Sequence, residues 1–238
     1  KEKWQEQTAL MWAAAEHHAA VIEELVRGGA DVQASSKTGF TALMFAARVG
    51  DLESAKLLIA AGANVNDSDA WGVTATVLAA HSGFGELVEF LLGKGADPNL
   101  ATAGFTALHE AIMRRDEKMA DTLLARGADP NAPIAKGTPS RYYSKDWALN
   151  VGALGGATPL WQASRYGDVP IMRALVAAGA NSRFAMPDGT TILIASVVAN
   201  SGFGTGDRRE RYIGPGDIAP TPEENERLTR EAAATAIE

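Results

Sequence analysis

For metal binding or nucleophilic catalysis this chain offers four histidines, His17, His18, His81 and His109, and no cysteine. The missing thiols rule out disulfides and thiolate metal sites. No histidine has a second ligand at a spacing such as H-E-x-x-H, where two side chains one helical turn apart converge on an ion. His17 and His18 are adjacent at a predicted turn, and His81 projects from a predicted helix. No Ser-His-Asp or Cys-His set is indicated. The carboxylates are scattered over predicted helix surfaces, the pattern of a solvated face and not of an acid and base held together. "GFGTG", Gly202 to Gly206, has the glycines of a phosphate-binding loop, but it follows a helix pattern instead of a strand and lacks the remaining spacing. "RRER", with Arg208, Arg209 and Arg211, reads as a solvated charge cluster. No catalytic, cofactor or metal residue is predicted, and the chain is not read as an enzyme.

Composition is that of a folded protein. The chain has 238 residues, 46% hydrophobic and 21% charged, which is ordinary for a globular chain. Its net charge of −7 argues against nucleic acid as the general partner. No apolar run reaches the ~18 residues of a membrane span, so no direct membrane insertion is expected. No signal peptide is visible, and in a chain that starts at Lys1 its absence carries no information.

What positions the side chains is a repeat. "TALMWAAAEHHAAVIEELVRGGADV" from Thr8 aligns with "TALMFAARVGDLESAKLLIAAGANVN" from Thr41 and "TATVLAAHSGFGELVEFLLGKGADPN" from Thr74. "TALHEAIMRRDEKMADTLLARGADPN" from Thr106 and "TPLWQASRYGDVPIMRALVAAGAN" from Thr158 follow. The threonines step by 33, 33, 32 and 52 residues, then by 33 to Thr191. In each of the first five units an alanine of a Gly-Ala pair follows its threonine by 22 residues: Ala30, Ala63, Ala96, Ala128 and Ala180.

Each threonine suits a helix N-cap, its hydroxyl accepting an early N–H. Pro159 suits the first helical position, where a missing donor costs nothing. In the second unit helices are expected over about 42–49 and 52–60, with Leu57, Leu58 and Ile59 turned toward neighbouring units and Gly62 as a left-handed stop. "NVNDSDAWG" then carries the chain out and back as a hairpin-like finger. No unit buries its apolar surface alone, so the units must stack.

A period near 33 with a T-P-L-H-x-A-like start resembles the ankyrin repeat. The resemblance implies an all-α solenoid of helix-turn-helix units with finger loops. It runs as a single array over 1–238, with units starting near 8, 41, 74, 106, 158 and 191. The irregular, Ala-rich units look like those of long bacterial ankyrin-repeat proteins, many of which are exported. Three departures stand out. Thr76 replaces a core leucine. His17, Arg115 and Asn200 replace the glycine between the two helices, and differently shaped turns are expected there. Both ends read as cut: seven residues precede Thr8, and a helix expected from Thr221 to Glu238 ends before any Gly-Ala pair, so a segment of a longer array is expected.

Two insertions interrupt the period, at about 132–156 and 201–220. The first contains "RYYSKDWALNVGALGG", Arg141 to Gly156, and lengthens a finger. Its Tyr142, Tyr143 and Trp147 are expected to pack partly on the array. The second is richer in glycine and charge and is expected to be the more mobile.

The family resemblance places partner binding on the concave side, made of fingers and the ends of the first helices. Carried over by position, the fingers supply Lys37, Thr38, Phe40, Trp71, Val73, Thr102 and Phe105. The helices supply Arg48, Val49, His81, Ser82, Met113, Arg114, Arg165 and Tyr166. Phe40, Val73 and Phe105 have an equally good reading as finger-to-finger packing. His109 falls on the family's T-P-L-H histidine, which hydrogen-bonds to backbone. The expected function is a protein-binding scaffold or recognition module with no cofactor. The alternatives are an enzyme subunit with a small-molecule pocket framed by the insertions, and a structural spacer in a larger assembly.

Overall fold

The structure, a computed structural model, describes residues 6–135 and 155–201, with side chains through residue 197. The interior of the first insertion, including Tyr142, Tyr143 and Trp147, lies outside the described residues, as do the second insertion after Ser201 and the helix expected from Thr221.

Eleven helices form among the described residues, in pairs: α1 (Ala9–Ala15) and α2 (Ala19–Arg27), α3 (Ala42–Val49) and α4 (Leu52–Ala60), α5 (Ala75–Ser82) and α6 (Gly85–Gly93). They continue with α7 (Ala107–Met113) and α8 (Glu117–Ala125), α9 (Pro159–Tyr166) and α10 (Val169–Ala177), and then α11 (Ile192–Ser201). The chain divides into two compact units, Lys1–Glu110 and Ala111–Glu238. In the first, α1 packs on α3, α3 on α5, and α2 on α4. In the second, α9 packs on α11 and α8 on α10. Each is an all-α stack of helix-turn-helix repeats.

The threonines start the first helices. Thr8, Thr41, Thr74 and Thr158 have extended backbones, and their hydroxyls accept the N–H of Met11, Met44, Val77 and Trp161. Pro159 is the first residue of α9. At Thr106 the buried His109 takes part instead: the Thr106 N–H donates to its Nδ1 at 3.1 Å. Three of the second helices are capped by Asp51, Asp116 and Asp168, which accept from Ser54, Met119 and Ile171, while His18 and Phe84 give α2 and α6 no side-chain cap. The second helices stop at the Gly-Ala pairs. The N–H of Ala30, Ala63, Ala96, Ala128 and Ala180 reaches the carbonyl five residues back, at Leu25, Leu58, Leu91, Leu123 and Leu175. This six-to-one closure satisfies the carbonyls a helix end leaves open.

The core is built from the same positions in every repeat. Leu10, Leu43, Leu108 and Leu160 are buried, and so is Thr76, which takes the leucine's place in α5 without turning outward. In α4, Leu58 is fully buried while Leu57 and Ile59 are half-buried.

The turns between helices depart from the expectation. His17 (φ 59) and Arg115 (φ 58) adopt the left-handed conformation of Gly50 (φ 78), Gly83 (φ 84) and Gly167 (φ 65). The next residue's N–H closes on the carbonyl five back in all five cases: His18, Asp51, Phe84, Asp116 and Asp168. The turns are therefore the same shape, and the backbone strain of a side chain there is accepted. Asn200 differs again, because α11 continues through it to Ser201.

Candidate protein-binding surface

The fingers are tight hairpins with single bridges, Ser35 to Thr41, Ser68 to Thr74 and Ala185 to Thr191. Two backbone bonds close each: Ser36 N–H to Phe40 O and Gly39 N–H to Ser36 O in one, Asp69 to Val73 and Gly72 to Asp69 in the next. Gly39 (φ 84) and Gly72 (φ 85) supply the left-handed corner. Side chains brace the turn from inside. The Ser36 hydroxyl accepts the Phe40 N–H at 3.1 Å. The Asp69 carboxylate accepts from Trp71 at 2.9 Å and Val73 at 2.8 Å. Burial pushes the Asp69 carboxyl above the usual Asp value, against the opposing pull of the Val73, Trp71 and Gly72 N–H groups.

Neighbouring fingers touch through backbone. Ala70 N–H donates to Thr38 O at 2.9 Å, and the Thr102 hydroxyl donates to Gly72 O at 2.6 Å. A Cβ on Gly72 would lie 2.4 Å from the Thr102 carbonyl carbon, so only glycine fits. The Thr38–Ala70 bond sets Lys37 and Trp71 on adjacent tips. Lys37 is exposed, and Trp71 is 51% exposed. At the other end of the first helices, the Ser82 hydroxyl donates to Arg48 O at 3.1 Å and joins α5 to α3. Phe40 stacks edge-on against Phe45 with centroids 5.4 Å apart, and the Arg48 guanidinium lies over the Phe45 ring at 5.1 Å. His81 Nδ1 meets the Glu110 carboxylate at 3.0 Å. Glu110 is fully buried, so the picture of carboxylates spread over helix surfaces fails there, as it does at Asp51, Asp69 and Asp168.

The strip drawn from sequence thus divides. In the first unit Lys37, Phe40, Arg48, Trp71 and His81 form connected surface. Val73 and Phe105 are each 1% exposed. They lie buried beneath their fingers, whereas Phe40, at the same place after its corner glycine, stays half-buried. In the second unit Met113, Arg114, Arg165 and Tyr166 are half-buried at the ends of α7 and α9. Asp188 stands exposed on the 186–190 finger, and the Thr190 N–H holds its carboxyl below the usual value. The first insertion opens from a fingertip. Ile134 N–H reaches Ala157 O at 2.9 Å, and Gly156 N–H reaches Ile134 O at 2.7 Å, the two closing bonds of the 36–40, 69–73 and 186–190 fingers. Twenty-one residues lie between Ile134 and Gly156 where two lie between Ser36 and Gly39, so nineteen are extra.

Some structural side chains carried no distinctive sequence signal. The Asn66 amide donates to Gly95 O at 3.1 Å and accepts the Asp97 N–H at 2.9 Å. Asn131 does the same to Gly179 and Asn181, and Gln33 donates to Gly62 O. Each clamps one repeat to the next. Their recurrence after Gly-Ala was visible, but it read only as turn chemistry. No group of His, Cys, Asp or Glu among the described residues is arranged to hold a metal ion. No helix among them is long and apolar enough to cross a membrane.

A family model of ankyrin repeats in three copies matches residues 1–69 and 43–134, and a single ankyrin repeat matches 155–185. The chain belongs to the ankyrin-repeat family. No curated protein matches it. Ankyrin repeats are in general protein–protein interaction modules, typically non-enzymatic scaffolds. In these ankyrin repeats the finger glycines, the threonine caps and the Gly-Ala stops all serve the scaffold, and the variable positions are left at the fingertips and the ends of the first helices.

Proposed function

We propose that this protein is a non-catalytic recognition module working as one ankyrin array over residues 1–238. It binds a protein partner through its fingertips and first-helix ends, with the 132–156 insertion as a further contact. One observation carries the reading. Trp71, a large apolar side chain, stands half-exposed on a fingertip whose backbone is fixed by three constraints: the Asp69 carboxylate, the Gly72 corner and the bond to the neighbouring finger. A rigidly held tryptophan on the fingertip next to that of Lys37 has the make-up of an interface hot spot, where Trp is enriched. The insertion opens from the same structural position, a fingertip, in the other unit.

The test is crosslinking capture from the native source with the natural protein and with Trp71→Ala. Crosslinks should fall on residues 37–48 and 71–82. Trp71→Ala should weaken capture about tenfold or more, the loss of one hot-spot side chain, at an unchanged melting midpoint. Crosslinks confined to the second helices would refute the reading.

A further inference from the structure

We propose that the surface made by the two adjacent fingertips and the ends of α3 and α5 takes an acidic, extended segment of the partner protein. Lys37 and Arg48 meet its carboxylates, and Trp71 meets an apolar side chain. The inference rests on the binding reading above and adds the chemistry of what is bound.

Charge is unevenly spread within the first unit. The exposed carboxylates Glu23, Glu24, Glu53, Glu86 and Glu89 lie on the second helices α2, α4 and α6, and Asp31 and Asp97 lie in the loops that follow. They outnumber the cations there, Arg27, Lys56 and Lys94, of which Arg27 and Lys56 are paired with glutamates of their own helices. The fingertips and the ends of α3 and α5 carry Lys37, Arg48 and His81. The carboxylates close to this surface in the chain have partners within the protein. Asp69 is buried on the fingertip N–H groups and Glu110 on His81. Asp51 caps α4, and the half-buried Asp67 accepts from the Asn64 amide. Glu16 is exposed, but it ends α1, one helix back along the row. The exposed charges of this surface, Lys37 and Arg48, are therefore cations on a chain with a net charge of −7. At ionic strengths where the Debye length is about 8 Å, contact is governed by such local charges and not by the net charge.

Two separate elements present the cations. Lys37 lies on a fingertip ahead of the Thr41 cap of α3, and Arg48 stands in the last turn of that helix. The backbone rises roughly 10 Å from cap to last turn at 1.5 Å per residue. An extended segment rising about 3.3 Å per residue covers that span in about three residues. Arg48 is held over the Phe45 ring and its orientation is set before binding, which lowers the ordering cost of an ion pair. Nucleic acid fits poorly. Its affinity comes from many phosphate contacts, and the carboxylates of the second helices repel a long polyanion.

The experiment is a fluorescence-anisotropy titration of the full chain with three probes. They are a short labelled peptide of Asp, Glu and Leu, the same peptide with Lys for each acid, and a single-stranded DNA oligonucleotide. The acidic peptide should bind, and binding should weaken as salt is raised. Lys37→Glu with Arg48→Glu should weaken it at least tenfold. If that pair fails to fold in a thermal melt, Lys37→Gln with Arg48→Gln replaces it, and the expected loss is severalfold. The lysine peptide and the DNA should not bind. Absence of acidic-peptide binding, or equal binding of the lysine peptide or the DNA, overturns the proposal. If the charge variants bind the acidic peptide unchanged while Trp71→Ala does not, the acidic-segment inference falls and the surface stands. If neither substitution matters, both fall.

Discussion

Asp69 answers two opposed demands. Its carboxylate must accept the Trp71 and Val73 N–H groups to shape the fingertip, and it must be buried to do so. Burial outweighs the N–H groups, and the carboxyl is raised above its usual value. A raised acid favours folding most when protonated. Its contribution is full below the unfolded Asp value and is lost as pH rises through the folded one. At neutral pH the buried charge is therefore a net cost. Asp69→Asn, which keeps the acceptor oxygen and removes the charge, should be neutral or stabilising at pH 7. The gap should close in the acid range where Asp69 is itself protonated. Asp69→Ala should cost about 1–3 kcal/mol at any pH, because the N–H groups are left unsatisfied. Denaturant midpoints at neutral and acid pH separate the three proteins. An Asn variant as damaged as Ala at pH 7 would show that the carboxylate charge itself is needed. The sequence showed a turn at "DAWG" but not this tension, since burial of a side chain depends on the finger beside it.

At the scale of elements, the finger-to-finger contact sorts glycines that look alike in sequence. Gly72 and Gly95 both have left-handed backbones, φ 85 and 90. A Cβ on Gly95 meets nothing within 4 Å, whereas one on Gly72 meets the Thr102 backbone at 2.4 Å. Gly95→Ala should cost about 1 kcal/mol, the left-handed penalty alone. Gly72→Ala should cost roughly 2 kcal/mol or more, because two fingers must part. Equal losses in urea melts would mean that the fingers separate freely. Helix limits in the second repeat were legible to the residue, because the Thr cap, the Gly corner and the Gly-Ala stop are local signals. The burial of Val73 and Phe105 was not legible, because a residue after a corner glycine reads the same whether the hairpin shields it or not. Nor were the turns at His17 and Arg115. Local propensity disfavours a side chain there, and what accompanies it comes from the next repeat.

At the scale of the whole molecule, stability accumulates from one repeat to the next. Asn66 and Asn131 are clamps of that kind, and the first repeat shows what an uncovered face looks like. Trp12 is 50% and Val21 47% exposed, while their equivalents in the second repeat, Phe45 and Ser54, are buried. A capping repeat with a polar outer face joined ahead of Thr8 should raise the melting midpoint by covering them. An unchanged midpoint would show that these positions need no cover. The junctions also carry an order. The left-handed residue of one repeat faces the second-helix cap of the next. His17 Nδ1 lies 3.7 Å from Asp51, and Arg115 Nε lies 3.3 Å from Asp168. Gly50 instead faces the Phe84 ring, which a Cβ would approach to 2.5 Å. At these three junctions histidine or arginine stands against aspartate, and glycine against phenylalanine. Units of equal length look interchangeable within such an array. Here they are not. Excision of residues 41–73 would keep the period yet set His17 against Phe84, a strained backbone with no carboxylate opposite and an aromatic ring in its place. The array changes its length without such a mismatch only where the two sides of the new junction already agree.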